Sequence, residues 1–440
     1  MKWSLVVWVV TSLLGAWGCQ QPGSAPSPPA SGSQATVSPA PKPQGDPQAI
    51  AAVVKRINQL DGQLSYNARK DVVGVNLLGH SATDADLALL KALPALEELQ
   101  VWGAGIDDKG MASLGKLTGL KVLVVENTGI TNAGLASLAK LQKLTALNLR
   151  RSSNVTDEGM AQVGKLRNLQ QLHLLFTLIG DPGLAHLTRL TKLKLLDLRG
   201  CKQVSDAGMD SVKELVNLKS LKFRAQTSLT DAGLAKLAGL AKLKELTLED
   251  TGVSDAGLDT VKQFSQLEDL DLTRAKVTDQ GLPKLAGLAS LKRLSLRALW
   301  ISGTGMAAWN KLDNLERLDL AETYVADKAM PALKNLSNLQ SLDLWHTRIT
   351  DAGLASLAGL SQLKDLILNE TRVTDAGLKH VAGLPSLENL ELKGTAVSDA
   401  GLETLHALKG LKTLDLRQTK VTAAGVAKLE KALPECRVKQ

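Results

Sequence analysis

Cysteine and aromatic residues are both scarce in this 440-residue chain, with three Cys, three Phe, two Tyr and seven Trp. The apolar content is carried by Leu, Ala and Val instead, so the expected core is aliphatic. The six histidines, His80, His173, His186, His346, His380 and His406, are scattered. None stands in a His-Glu-x-x-His spacing and no Cys-x-x-Cys occurs, so nothing supports a metal site. Gly303-Thr304-Gly305 lacks the third glycine and the setting of a nucleotide-binding turn. No nucleophile stands apart. We therefore assign no catalytic residue, cofactor or metal, and expect a chain that is not an enzyme.

What the chain does have is a period. Leu342-Asp343-Leu344 is followed by Thr347, Ile349 and Thr350-Asp351-Ala352-Gly353-Leu354, and the same frame returns at Leu366 and at Leu390. Fifteen frames start at Val75, Leu99, Leu123, Leu147, Leu172, Leu196, Leu221, Leu246, Leu270, Leu294, Leu318, Leu342, Leu366, Leu390 and Leu414. A fixed period of this size marks a stacked solenoid rather than a globular enzyme domain. Leu-x-Leu alternation is a short strand with both leucines facing inward. Thr350 then reads as a helix N-cap, Asp351 suits the positive end of the helix dipole, and Leu354, Leu357 and Leu360 line one helical face. An acid stands at the Asp351 position in twelve of the fifteen repeats, with Asn132, Gly303 and Ala423 as the exceptions. Glycine is poor for helix propensity. The recurrence of Gly353 and its equivalents so early in the helix implies a backbone contact with the neighbouring coil that a side chain would block. Strands stack at about 4.8 Å and helices need about 10 Å, so the helical layer splays and the stack curves with its sheet inside.

These features resemble the leucine-rich repeat proteins. The Thr/Ser-Asp-x-Gly-Leu segment and the period of 24–25 residues are similar to the ribonuclease-inhibitor-like and cysteine-containing subfamilies. The usual Asn or Cys of the ladder position is here mostly Thr, with Cys201 the one Cys. The resemblance implies an α/β horseshoe of about 15 repeats, with a concave parallel β-sheet and convex α-helices, and a scaffold that binds proteins.

The N-terminus reads as an export signal. Lys2 precedes an apolar run, Trp3 to Trp17, that is too short to span a bilayer comfortably. Ala16-Trp17-Gly18 before Cys19 fits a small-x-small cleavage site and resembles the lipobox of bacterial lipoproteins, although Ala16 stands where Leu is usual. That resemblance implies lipidation of Cys19 and a membrane anchor, with plain secretion as the alternative. Residues 20–47 hold 8 of the 14 prolines and read as a semi-extended tether. The order of signal, tether and repeats also resembles exported bacterial proteins such as those of planctomycetes. The expected organisation is a signal over 1–18, a tether over 19–47, an N-terminal cap over 48–72, repeats over 73–432 and a C-terminal cap over 433–440. Residues 47–60 read as a helix, followed by irregular structure or a strand from Leu64 to Val73. Cys201 and Cys436 lie ten repeats apart, on the order of 48 Å of sheet. A disulfide needs Cα atoms within about 7 Å, so both read as small buried thiols.

The formal charge of +8 raises the question of nucleic acid. At the outward strand positions and the two residues after them, however, eleven basic residues face fifteen acidic ones. A polyanion groove would show the reverse, so no nucleic acid is expected. Arg150, Arg151, Arg199, Lys202 and Arg224 gather where three repeats carry an inserted residue, and they read as a solvated basic edge. Trp300, Tyr324 and Trp345 fall in repeats ten to twelve, beside Arg297, His346 and Arg348. Trp300 and Tyr324 share one loop position, whereas Trp309 replaces a helix leucine and reads as core. Exposed aromatics with arginine are the residue types enriched at binding hot spots. These six are the candidate partner-binding residues, for a protein or, alternatively, a glycan or cell-wall ligand. A purely structural envelope protein is the third reading.

Overall fold

The computed structural model describes residues 45–440. The signal, Cys19 and almost all of the tether lie outside them. The described chain is one open seventeen-stranded sheet alternating with short helices. From Val72–Leu77 onward every neighbouring pair is parallel and unstaggered, so Leu294, Leu318, Leu342 and Leu366 stand side by side. Each position of the 24-residue frame therefore becomes a row running along the stack. Leu342, Leu344, Leu354, Leu357 and Leu360 are each at most 1% exposed. At about 1.5–3 kcal/mol per buried leucine, most of that gain requires the adjacent coil.

The outer segments are shorter than the α-helices expected. Asp351–Leu354 is a single α-turn that continues as 3-10 helix over Ala355–Leu357. Leu282–Gly287, Thr304–Ala308 and Asp327–Leu333 are 3-10 throughout. A coil of 24 residues must return quickly to its strand, and short i→i+3 turns accomplish that.

The first helix, α1 (Pro47–Gln59), starts at the expected residue and ends one residue earlier than expected. Asp46 accepts from the Gln48 N–H, and Pro47 supplies a ready-made helical φ at N1. The following strand, β1 (Gln63–Tyr66), departs from the expectation that all strands run one way. It pairs antiparallel with β2 (Val72–Leu77). Five connecting residues permit a hairpin, whereas a parallel neighbour would need a long crossover. Arg56 fastens α1 to the first coil through Asp86 at 2.6 Å. At the other end, the helix Ala423–Ala432 is followed by the strand Arg437–Lys439, which pairs parallel with its neighbour.

The first-turn acid does more than face a helix dipole. The Thr374 N–H donates to Asp351 Oδ1 at 2.7 Å, and the Thr374 hydroxyl donates to Oδ2 at 2.6 Å. Asp351 thus clamps the N-cap of the next coil. The carboxylate or amide oxygen makes this backbone contact at thirteen of the fourteen junctions between coils. Asn132 substitutes by accepting from the Thr156 N–H and donating to its hydroxyl. Ala423 stands at the clamp position of the fifteenth coil. The recurrent glycine follows from the same contact, and the group that excludes a side chain is this carboxylate rather than the backbone expected: a Cβ on Gly377 would lie 2.4 Å from Asp351 Oδ1.

Most ladder threonines bond within their own coil, whereas the Thr128 hydroxyl lies 3.3 Å from that of Ser152 in the next coil. The Thr347 hydroxyl donates to the Leu344 carbonyl at 2.7 Å, and Thr251, Thr323, Thr371 and Thr395 repeat the pattern. In the three 25-residue coils, Ser152, Cys201 and Gln226 take this place and reach carbonyls of the preceding coil. Burial pushes the Cys201 thiol up to about 11, which leaves it protonated and unreactive. Cys201 and Cys436 are both free and buried.

Two substitutions test the clamp. Asp351→Ala is expected to lower stability by about 2–4 kcal/mol, because it removes two charge-assisted bonds and strands a backbone N–H. Gly377→Ala is expected to be destabilising alone, and less so when combined with Asp351→Ala. Urea unfolding of the four proteins of this cycle measures both effects.

Candidate functional site

The strands of all fifteen frames end in the same corner. The fourth residue after each of the fifteen frame starts has positive φ, with glycine at four corners and other residues at eleven, among them Phe176, Glu322, His346 and Glu370. A non-glycine residue in this left-handed region costs about 1–2 kcal/mol, so the corner is held by its surroundings. The His346 N–H, for example, donates to the Asn369 carbonyl of the next coil at 2.9 Å. The corner sorts side chains into three display rows. Arg297 and Trp345 stand at the strand ends, Glu322 and His346 at corners, and Trp300, Tyr324 and Arg348 on the outer edge.

The structure divides the six sequence candidates into two adjoining clusters. On the edge, Trp300 and Tyr324 meet edge-to-face with ring centroids 6.0 Å apart, and the Arg348 guanidinium lies 4.6 Å over the Tyr324 ring. Trp300 is 77% exposed and Tyr324 is 43% exposed. At the strand ends, the Arg297 guanidinium lies 4.6 Å over Trp345 and pairs with Glu322. His346 Nδ1 lies 3.3 Å from Glu370. The Glu322 corner connects the two clusters. Trp309 is buried, and its indole N–H donates to the Leu282 carbonyl at 2.9 Å.

The sequence reading missed a second apolar site. Phe176 and Leu178 occupy the corner and edge positions of coil five and are 42% and 50% exposed. Arg151 lies 5.9 Å from the Phe176 ring centroid. Gly200, at φ +78°, underlies that ring, and a Cβ there would meet it at 2.2 Å. The available signal was positional: Phe176 is the one aromatic at any of the fifteen corners.

Charges on the concave face are largely matched. Eight of its eleven basic residues form ion pairs, including Arg150–Glu126, Arg199–Asp197, Lys222–Glu245 and Arg293–Asp269. Asp197 is buried, yet donors from His173 and Arg199 outweigh that burial and hold its carboxyl well below the usual range. A different balance holds in coils nine to thirteen, where Asp271, Ser295, Asp319, Asp343 and Ile367 stack in register. They line a depression of about 340 Å³ together with Arg293 and Arg317. Burial, with the neighbouring charge of Asp319, pushes Asp343 up to about 6. Among the described residues, no three His, Cys, Asp or Glu side chains are grouped to hold a metal ion. No described helix is long and apolar enough to cross a membrane.

Residues 180–438, more than half of the chain, match the family model described as a leucine-rich repeat region. The chain belongs to the leucine-rich repeat family. This leucine-rich repeat protein is similar in fold to the internalin inlF from Listeria monocytogenes, with 20% identity and a TM-score of 0.59 over 89% of this chain and 94% of that one. It is also similar to a chain of the mouse RP105/MD-1 complex, with 18% identity and a TM-score of 0.53 over 78% and 71%. At these identities the likeness concerns the fold alone. No curated protein matches it in sequence.

The raised carboxyl of Asp343 is expected to make stability depend on pH. A carboxyl raised in the fold contributes stability that is complete below its unfolded value, near about 4. That contribution is lost as the pH rises through about 6. Asp343→Asn is expected to flatten this part of the stability–pH curve and to raise the thermal midpoint at pH 7. Thermal unfolding between pH 4 and pH 8 measures both.

Proposed function

We propose that this protein is a non-catalytic protein-binding scaffold, exported and held at the cell envelope by a lipid on Cys19. Its partner is engaged through the concave face and the aromatic edge of coils ten to twelve. The observation that carries this reading is the solvent-facing stack of Trp300, Tyr324 and Arg348. Elsewhere along this edge row the side chains are smaller or charged, such as Gly252, Lys276 and Arg372. Large rigid rings left in water beside arginine are typical of residues buried on partner docking. The RP105/MD-1 complex offers a precedent for this fold in a protein assembly. Support for export and anchoring comes from the sequence order of Lys2, the apolar run, Cys19 and the Pro-rich tether.

The test is partner capture by the mature chain, cross-linked on intact cells. Replacing Trp300, Tyr324 and Trp345 together by Ala is expected to abolish capture while leaving the circular dichroism spectrum and unfolding midpoint intact. Hot-spot aromatics cost about 2 kcal/mol or more each. Unchanged capture would remove the site assignment. Because the Trp300 ring is flat and open, a glycan array is the control: glycan binding lost in the same variant identifies a carbohydrate partner instead. Cys19→Ala is expected to move the protein from the membrane fraction to the soluble fraction, and unchanged partitioning would refute the anchor.

A further inference from the structure

The contact that joins the coils is missing at one junction, and three positions change together there. Coil ten has Gly303 in place of the clamp acid. Coil eleven has Ala326 in place of the N-cap Thr or Ser, and Ala329 in place of the clamp glycine. Gly303 offers no carboxylate and Ala326 no hydroxyl. Gly303 turns left-handed at φ +86°, and a Cβ on it would lie 2.5 Å from the Ala329 methyl. Ala329 is buried. Its methyl occupies the kind of space that the preceding coil's carboxylate fills at the other junctions. A directional, charged clamp has been exchanged for an apolar plug.

The neighbouring junctions keep the clamp. Asp279 accepts from the Ser302 and Gly303 N–H groups at 2.7 and 2.8 Å. Asp327 accepts from the Thr350 N–H at 2.8 Å and from its hydroxyl at 2.6 Å. Across the altered junction, the sheet ladder, the Tyr324 N–H to Ile301 carbonyl bond at 3.0 Å and the Arg297–Glu322 pair all persist on the sheet side. On the helix side the polar link is Asn338 Nδ2 donating to the Asp313 carbonyl at 2.7 Å. The facing segments there, Thr304–Ala308 and Asp327–Leu333, are both 3-10 helices, whose hydrogen-bond geometry is poorer than that of an α-helix.

We propose that the junction between coils ten and eleven is a hinge built into the solenoid, stitched along its sheet and free to open along its helices. In a repeat stack each coil contacts only its neighbours, so opening begins at the weakest interface. The Trp300–Tyr324 ring contact crosses this same junction. Flexing there changes the separation of the two rings that the docking edge presents. That consequence rests on the proposed binding function, whereas the hinge itself does not.

Hydrogen exchange on the full chain without any partner tests the hinge. Amides of 304–308, 327–330, 332 and 333 are expected to exchange faster than their equivalents in coils twelve to fourteen. Gly303→Asp, Ala326→Thr and Ala329→Gly together rebuild the clamp and are expected to slow that exchange by about tenfold or more, the scale of one charge-assisted hydrogen bond. Gly303→Asp alone leaves the Ala329 methyl in the way and is expected not to. The reverse transplant, Asp351→Gly with Thr374→Ala and Gly377→Ala, is expected to create a second fast-exchanging junction between coils twelve and thirteen, which keeps the test decisive if the rebuilt variant does not fold. Equal protection at all junctions of the unaltered protein, or unchanged exchange in the rebuilt variant, would overturn the hinge. Because no partner is present, failure of the docking edge leaves this result unaffected.

Discussion

A carboxylate reaching from the first helical turn of one coil to the N-cap of the next is the contact on which the helical side of this molecule depends. The leucines supply most of the gain in burying surface, but they are interchangeable from coil to coil and confer little directionality. Asp351 on Thr374 is directional: both oxygens are used, one on a backbone N–H and one on a hydroxyl. It sets how one coil sits on the next, and it dictates glycine at Gly377 because the carboxylate fills the space a side chain would need. Three frame positions that look independent in sequence thus serve one contact.

Because the strands pair without stagger, each frame position becomes a row, and the rows separate framework from display. Leucine and threonine rows point inward. The strand-end, corner and edge rows point outward, and there the sequence varies freely. The left-handed corner allows this arrangement by turning the chain between Trp345 and Arg348 while sending Thr347 back to the Leu344 carbonyl. In-register stacking also has a cost. Like charges at one frame position come to lie a strand apart, and Asp319 and Asp343 are held half-buried beside each other, whereas Asp197 is relieved by His173 and Arg199.

The sheet, the inward leucines, the Thr and Ser caps and the core placement of Trp309 were legible in the sequence, because alternation and period are local signals that repeat fifteen times. The orientation of β1 was less so, since a single hairpin at the end of the stack has no copy elsewhere to read it against. The candidate site was legible as a composition: Trp300, Tyr324 and Trp345 stand out in a chain with few aromatics. Its division into an edge stack and a strand-end stack was not, nor was the exposed Phe176–Leu178 pair.

The sequence by itself determined the coil: its length, its strand, its cap, its inward face, and the number of copies. Those follow from spacing along the chain, where each residue's neighbours are its own sequence neighbours. Only the tertiary structure decided what residues about one repeat apart in the chain do to one another. Asp351 became a clamp as well as a dipole partner, the close approach at Gly377 proved to be that of the Asp351 carboxylate, and Gly303, Ala326 and Ala329 became one coordinated exchange. The physical reason is that these contacts exist only between coils, at distances set by the stacking of one strand on the next.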